Sequence, residues 1–206
     1  MNRRNLPNPV LGRRTLIAGA ASLFAVPALA SARTPADVAR EGLQRAGAAI
    51  HRRDIVGVAD FTAPSRASRF HLVDLANGRT SSHLVSHGRG SDPDHSGYVE
   101  RFSNDEGSNA SSAGIYRTED YYVGRHGRSQ RLMGLEPGNS NALARAIVIH
   151  GAWYVSDAIV AQHGKIGRSE GCFAFDETNG SLDEMLTRLG PGSLLYAGRF
   201  GLNASA

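Results

Sequence analysis

The dipeptide Asn77-Gly78 lies between two alternating runs in HLVDLANGRTSSHLVSHG, and Asn-Gly in that setting is the strongest short-range signal for a β-hairpin. It predicts strands over Arg69–Leu75 and Ser81–Ser86. Further short runs of strand character cover Ile55–Phe61, Ile115–Val123, Arg131–Leu135 and Ser193–Ala197. Ala144–Ile149 is continuously apolar, as expected of a short strand buried on both faces. Residues Gly88–Gly114 are dense in Gly, Ser, Asn and Asp. They read as a long irregular loop, which in a compact domain is more often functional than structureless.

Helices are few. Thr34-Pro35-Ala36-Asp37 supplies a capping hydroxyl, a first-turn proline and an early acid, with Leu43, Ala46 and Ile50 on one face and an end expected near Arg52–Asp54. Ser156 caps a short helix ending at His163-Gly164. Ser181 and Glu184 have the spacing of a capping box, followed by Leu182, Met185, Leu186 and Leu189, with Gly190-Pro191 as the stop. Many short strands and two or three peripheral helices give a mainly β (α+β) domain.

The first 32 residues read as an export leader. Arg13-Arg14 precedes an apolar run, Ile17–Ala30, and Ala28-Leu29-Ala30 and Ala30-Ser31-Ala32 are small-x-small cleavage sites. The paired arginines suggest the twin-arginine route. The apolar run is short for a membrane span, so no stable span is expected after processing. The formal charge of +4 is carried by Arg3, Arg4, Arg13 and Arg14, before the first acid, Asp37. The processed protein is therefore about neutral, which argues against nucleic-acid binding. Its length of about 175 residues fits one domain with a sizeable core, read as residues 55–206 with an N-terminal helix, 33–54, packed on it. Nothing in the chain asks for an oligomer, and a monomer is expected.

Cys172 is the only cysteine. On an exported chain it has no intramolecular disulfide partner, which points to a reactive thiol. It ends Arg168-Ser169-Glu170-Gly171-Cys172, downstream of the apolar run that ends in His150-Gly151. A thiol beside small residues can sit at a tight turn. A histidine at the end of an apolar strand can take its proton, the minimum apparatus for nucleophilic acyl transfer. The backbone carbonyl of Gly151 or a neighbour is the simplest group to orient the ring. The backbone N–H groups of Gly171 and Cys172 are candidates for an oxyanion hole, and Gly171 permits the sharp bend.

His150-Gly151, then 17 residues, then Ser169-Glu170-Gly171-Cys172 resembles the signature of the L,D-transpeptidase (YkuD-like) catalytic domain. The likeness extends through YYVGRHGRSQRLMGLEPGNSNALARAIVIHGAWYVS, GRSEGCFAF and GSLLYA, roughly Ile55–Ala197, and is to a divergent murein branch. The resemblance implies a YkuD-like β-sandwich and a periplasmic enzyme. Cys172 would attack the carbonyl of an L-centred residue in a peptidoglycan stem peptide and pass the acyl group to the amine of a second stem. His150 would be the base, Gly151 its orienting group and Ser169 a support of the turn. No metal or organic cofactor is implied. Glu170 stands where the widespread motif has histidine, and would raise the pKa of the thiol. Ala174 stands where the motif has arginine or asparagine, with Arg168 as a possible replacement. Both 3,3 and 1,3 cross-links stay open, as do an L,D-carboxypeptidase or amidase and a non-catalytic wall-binding module.

Tyr116, Arg168, Trp153 and Glu170 are the candidate substrate contacts, the first three each with an ordinary structural alternative. His83, His87, Asp92 and His95 have metal-ligand chemistry but no recognised ligand spacing, so no metal site is assigned. His126 and His163, beside glycines in turns, are expected to be exposed.

Overall fold

The computed structural model describes Met1 and residues 33–202. The leader read over residues 1–32 lies, Met1 apart, outside them. Thr34 caps α1 (Pro35–Ala46) through a reciprocal pair of bonds with Asp37. Gly47, at φ +55°, ends the helix, a backbone region that glycine enters cheaply. The helix therefore stops well short of residues 52–54, and Ile50 is reached by a 3-10 turn over Gly47–Ala49.

β1 (Arg52–Asp60) follows at once, so the expected division between residues 54 and 55 falls inside a strand. β1 pairs antiparallel with β2 (Phe70–Asp74), which continues through the Asn77-Gly78 turn into β3 (Arg79–His83). The return strand is shorter than Ser81–Ser86. Beyond His83 the chain peels away, and the Ser86 N–H donates to the Ala174 carbonyl at 3.0 Å. β4 (Gly114–Gly124) and β5 (Gly127–Gly134) form a second hairpin with Arg125 and His126 at its tip. β6 (Val148–Gly151) starts later than Ala144, because Ala146 adopts φ +51° and breaks the extended run. α2 (Asp157–His163) carries the chain over to β7 (Phe173–Phe175), a strand the sequence pattern does not reveal, which lies parallel to β6. α3 (Ser181–Arg188) and β8 (Ser193–Gly198) complete the described residues' elements.

The Ser181–Glu184 capping box does not form. Gly180 occupies the cap position, Ser181 Oγ faces His83 Nδ1 at 3.2 Å, and Glu184 pairs with Arg188 at 3.1 Å.

The eight strands form one sheet in the order β3-β2-β1-β8-β4-β5-β6-β7. It bends so that strands far apart in that order meet across a core: Phe70 of β2 meets Phe175 of β7 edge-on at 4.8 Å. Leu72, Tyr116, Leu132, Ile149, Phe173 and Leu195 fill the space between. Burying each large apolar side chain contributes about 1.5–3 kcal/mol, so this cluster is what holds the two ends of the sheet together. α1 covers the other face, with Val38, Ala39 and Leu43 on Val56, Val58, Leu194 and Tyr196. Among the described residues no helix is long and apolar enough to cross a membrane.

Candidate active site

Side-chain alternation on two parallel strands builds the site. Ile149 pairs with Phe173, and His150 with Ala174. Ile149, Phe173 and Phe175 point into the core, so His150 and Cys172 emerge together on the opposite face. Both line one cavity of about 310 Å³ with Arg125, His126, Tyr154, Arg168, Ser169 and Glu170.

The imidazole of His150 is buried, and its Nδ1 lies 2.8 Å from the Gly151 carbonyl. A carbonyl only accepts, so Nδ1 carries the hydrogen and Nε2 keeps a free lone pair. Burial lowers the pKa of His150 to about 4; His126 and Arg125 act in the same direction, against the Gly151 carbonyl. The ring is neutral at pH 7. Gly151 has little room for a side chain, since a Cβ there would come within 2.9 Å of Glu177 and Leu182.

Cys172 is half-buried, with Sγ 3.5 Å from the Ala146 carbonyl. Burial pushes its pKa up. The Val148 N–H, Arg125 and Arg145 oppose this, while Glu170 adds to it. At rest a neutral thiol, directed to the Ala146 carbonyl, and a neutral imidazole thus line the same cavity. Such a pair can transfer a proton only as the sulfur attacks, with Nε2 as acceptor.

Ser169 shapes the turn that carries Cys172. Its hydroxyl accepts from the Gly171 N–H at 3.1 Å and donates to the Cys172 carbonyl at 2.7 Å. Gly171 sits at φ +116°, and a Cβ there would lie 2.7 Å from the Ala110 carbonyl oxygen. The oxyanion role expected for Gly171 does not fit this arrangement, because its N–H is engaged within the turn.

The candidate substrate contacts separate. Glu170 is exposed at the rim, 3.1 Å from Arg89 and 3.9 Å from Arg125. Arg168 lines the cavity, but its guanidinium also donates to the Asp92 carbonyl and, at 3.1 Å, to that of Pro93. Tyr116 is a correction. It is fully buried, donates to the Ser112 carbonyl at 2.8 Å, and meets Phe173 edge-on at 5.5 Å, so it is a core residue. Trp153 is 73% exposed and stands outside the cavity lining; its neighbour Tyr154 provides the aromatic wall.

Two further residues escape sequence reasoning. His126, exposed as expected, stacks on the ring of His150. Arg145 holds the long loop beside the Gly171-Cys172 turn, donating to the carbonyls of Ser103 at 2.8 Å and Ala110 at 2.5 Å and to Ser112 Oγ at 2.6 Å. Neither has a sequence signal of its own, because each contact spans at least 24 positions. Of the four residues with metal-ligand chemistry, His87 and Asp92 pair with each other. His83 turns to Ser181, and His95 Nε2 faces the Ile166 carbonyl. Among the described residues no group of three or more His, Cys, Asp or Glu could hold a metal ion.

The sequence profile of the L,D-transpeptidase catalytic domain matches residues 33–197. The chain belongs to the L,D-transpeptidase catalytic domain family.

Solved structures similar to it include L,D-transpeptidases from three sources. One from Mycobacterium smegmatis is 12% identical with a TM-score of 0.41, covering 70% of this chain and 58% of that one. One from Mycobacterium tuberculosis is 13% identical with a TM-score of 0.40, covering 70% and 57%. One from Xylanimonas cellulosilytica is 14% identical with a TM-score of 0.40, covering 80% and 70%. The alignment with the first of these thus spans less than two thirds of that protein. A search of curated proteins finds no match.

Proposed function

We propose that this family member is a peptidoglycan L,D-transpeptidase with Cys172 as nucleophile and His150 as general base. The observation that carries the reading is one cavity holding both the Cys172 thiol and a neutral His150, whose Nδ1 is committed to the Gly151 carbonyl.

The Cys172 sulfur attacks the carbonyl of an L-centred residue in a donor stem peptide while Nε2 of His150 takes the thiol proton. The C–S bond forms, the C–N bond breaks, and the imidazolium returns that proton to the departing amine of the terminal D-amino acid. An amine of a second stem then attacks the thioester, giving its proton to His150 and restoring the thiol. Arg125 and Arg168 on the cavity wall suit a peptide rich in carboxylates. The Arg13-Arg14 leader supports export to the periplasm, where that substrate lies.

The test is incubation of the protein with disaccharide-tetrapeptides and mass analysis of the products. Cross-linked dimers, absent with Cys172→Ala, support the reading, and fragmentation distinguishes 3,3 from 1,3 links. Trimmed monomers alone would replace transfer by hydrolysis. Unchanged substrate would overturn it in favour of a wall-binding role.

A further inference from the structure

Behind the candidate site lies a polar line that the mechanism above does not use. Arg69, His87 and Asp92 are each at most 1% exposed. Arg69 Nη2 lies 2.6 Å from His87 Nδ1, and His87 Nε2 lies 3.1 Å from Asp92 Oδ2. A guanidinium only donates and a carboxylate only accepts, so one neutral tautomer, with hydrogen on Nε2, satisfies both ends. The remaining valences are also filled. Arg69 donates to the carbonyls of Val85 and Ala63, and its guanidinium lies over the Phe61 ring at 4.9 Å. Asp92 accepts from the N–H groups of Ser96 and Gly97 and from Ser96 Oγ.

Burying a cation and an anion is costly, and an apolar filling of the same space is often no less stable. What the line adds is a fixed backbone. The Ser169 N–H donates to the His87 carbonyl at 2.9 Å, and the Arg89 N–H donates to the Ser169 carbonyl at 2.8 Å. Gly88 and Ser169 thus form a parallel bridge, and Arg168 donates to the Asp92 carbonyl. Ser169 is the residue whose hydroxyl holds the Cys172 turn closed. An unbroken series of contacts therefore runs from His87 to the residue that bears the sulfur.

We propose that His87, held between Arg69 and Asp92, is a positioning residue that fixes the Gly88–Ser169 bridge and thereby aims Cys172. This rests on the reading of Cys172 as nucleophile. It predicts an opposition that simple destabilisation does not produce. Releasing the turn exposes the half-buried sulfur to a small electrophile while spoiling its alignment for peptide attack, and misplacement on the ångström scale is enough to cost about 10²-fold in rate.

The experiment compares wild type with His87→Ala, His87→Gln and Asp92→Asn, each checked for folding by circular dichroism. It measures turnover of disaccharide-tetrapeptides and the rate of Cys172 alkylation by iodoacetamide. His87→Ala should lower kcat at least about tenfold, with KM within about twofold, and speed alkylation several-fold. His87→Gln, whose amide can still donate to Asp92, should recover much of kcat. Should His87→Ala not fold, Asp92→Asn decides, with the same opposed changes. Wild-type values of kcat and alkylation in a folded variant, or a loss confined to KM, would overturn the proposal. If wild type itself does not turn over the peptides, the functional reading has failed. The alkylation rates alone then decide whether His87 positions the turn, an unchanged rate being the negative result.

Discussion

The ring of His126 stacks on that of His150, with centroids 4.2 Å apart and planes 26° from parallel. The tip of the β4–β5 hairpin thereby reaches over the strand end that carries the candidate base. Replacing His126 by alanine removes a contact of about 0.5–1.5 kcal/mol. It also removes a neighbour that disfavours protonation of His150. The expected result is a fall in kcat/KM of up to about tenfold, with the acid limb of the pH–rate profile moved to higher pH. An unchanged profile would show that the hairpin tip has no hold on the base.

The protonation states of the pair give a second prediction. His150 loses its role as base only when it is protonated, so activity should be level through neutrality and fall as the pH drops through about 4. Cys172 lies above the ordinary thiol range because of burial. Thiolate absorbance at 240 nm should therefore be missing at pH 7 and appear only on the alkaline side. A thiolate signal at neutral pH would mean a preformed ion pair in place of general-base attack.

Stability should depend on pH in a defined window. His150 and His87 are both buried, and burial lowers each to about 4. The unfolded chain, with rings near 6.5, takes up these protons first, so it is favoured as acid is added. The contribution is fully present above about pH 6.5 and is lost as pH falls through about 4, at a cost of about 3 kcal/mol for each ring. Thermal unfolding followed by circular dichroism should show the Tm falling across this interval. It should fall less steeply in His87→Gln, which has one titrating ring fewer.

Gly171→Ala tests the turn. The backbone there is at φ +116°, and the added methyl would lie 2.7 Å from the Ala110 carbonyl oxygen. Strain of this kind costs about 1–3 kcal/mol, a drop in Tm of several degrees. The displaced sulfur should lose about 10²-fold in kcat. A variant with wild-type turnover would show that the bend is not needed to place the thiol.

The division between what sequence reveals and what it hides follows the range of the interactions. The Asn77-Gly78 turn, the Thr34 cap and the Gly164 helix end are local devices, and the elements they punctuate lie close to where the pattern places them. Three-residue β7 has too short a run for a period to show. The Ser181 capping box has the right spacing, but Gly180 takes the cap and Ser181 turns to His83, 98 positions away. That Cys172 and His150 share one cavity is legible because a lone thiol and a strand-end imidazole are rare residue types in a motif-like spacing. Tyr116 is not legible as a core residue, since alternation alone leaves both faces of β4 open until Phe173 is seen to cover one. In the sequence His87 and Asp92 stand out only for their metal-ligand chemistry and Arg69 only as the start of a strand, and the fold alone joins the three into one buried line.

The most direct measurement is intact-mass and peptide-map analysis of the protein trapped during turnover of a disaccharide-tetrapeptide. The account predicts an added mass equal to the donor less its terminal D-amino acid. It should sit on the peptide containing Cys172, disappear in Cys172→Ala, and form far more slowly in His150→Ala. Acylation at another residue, or cross-linking that persists without the Cys172 sulfur, would contradict it.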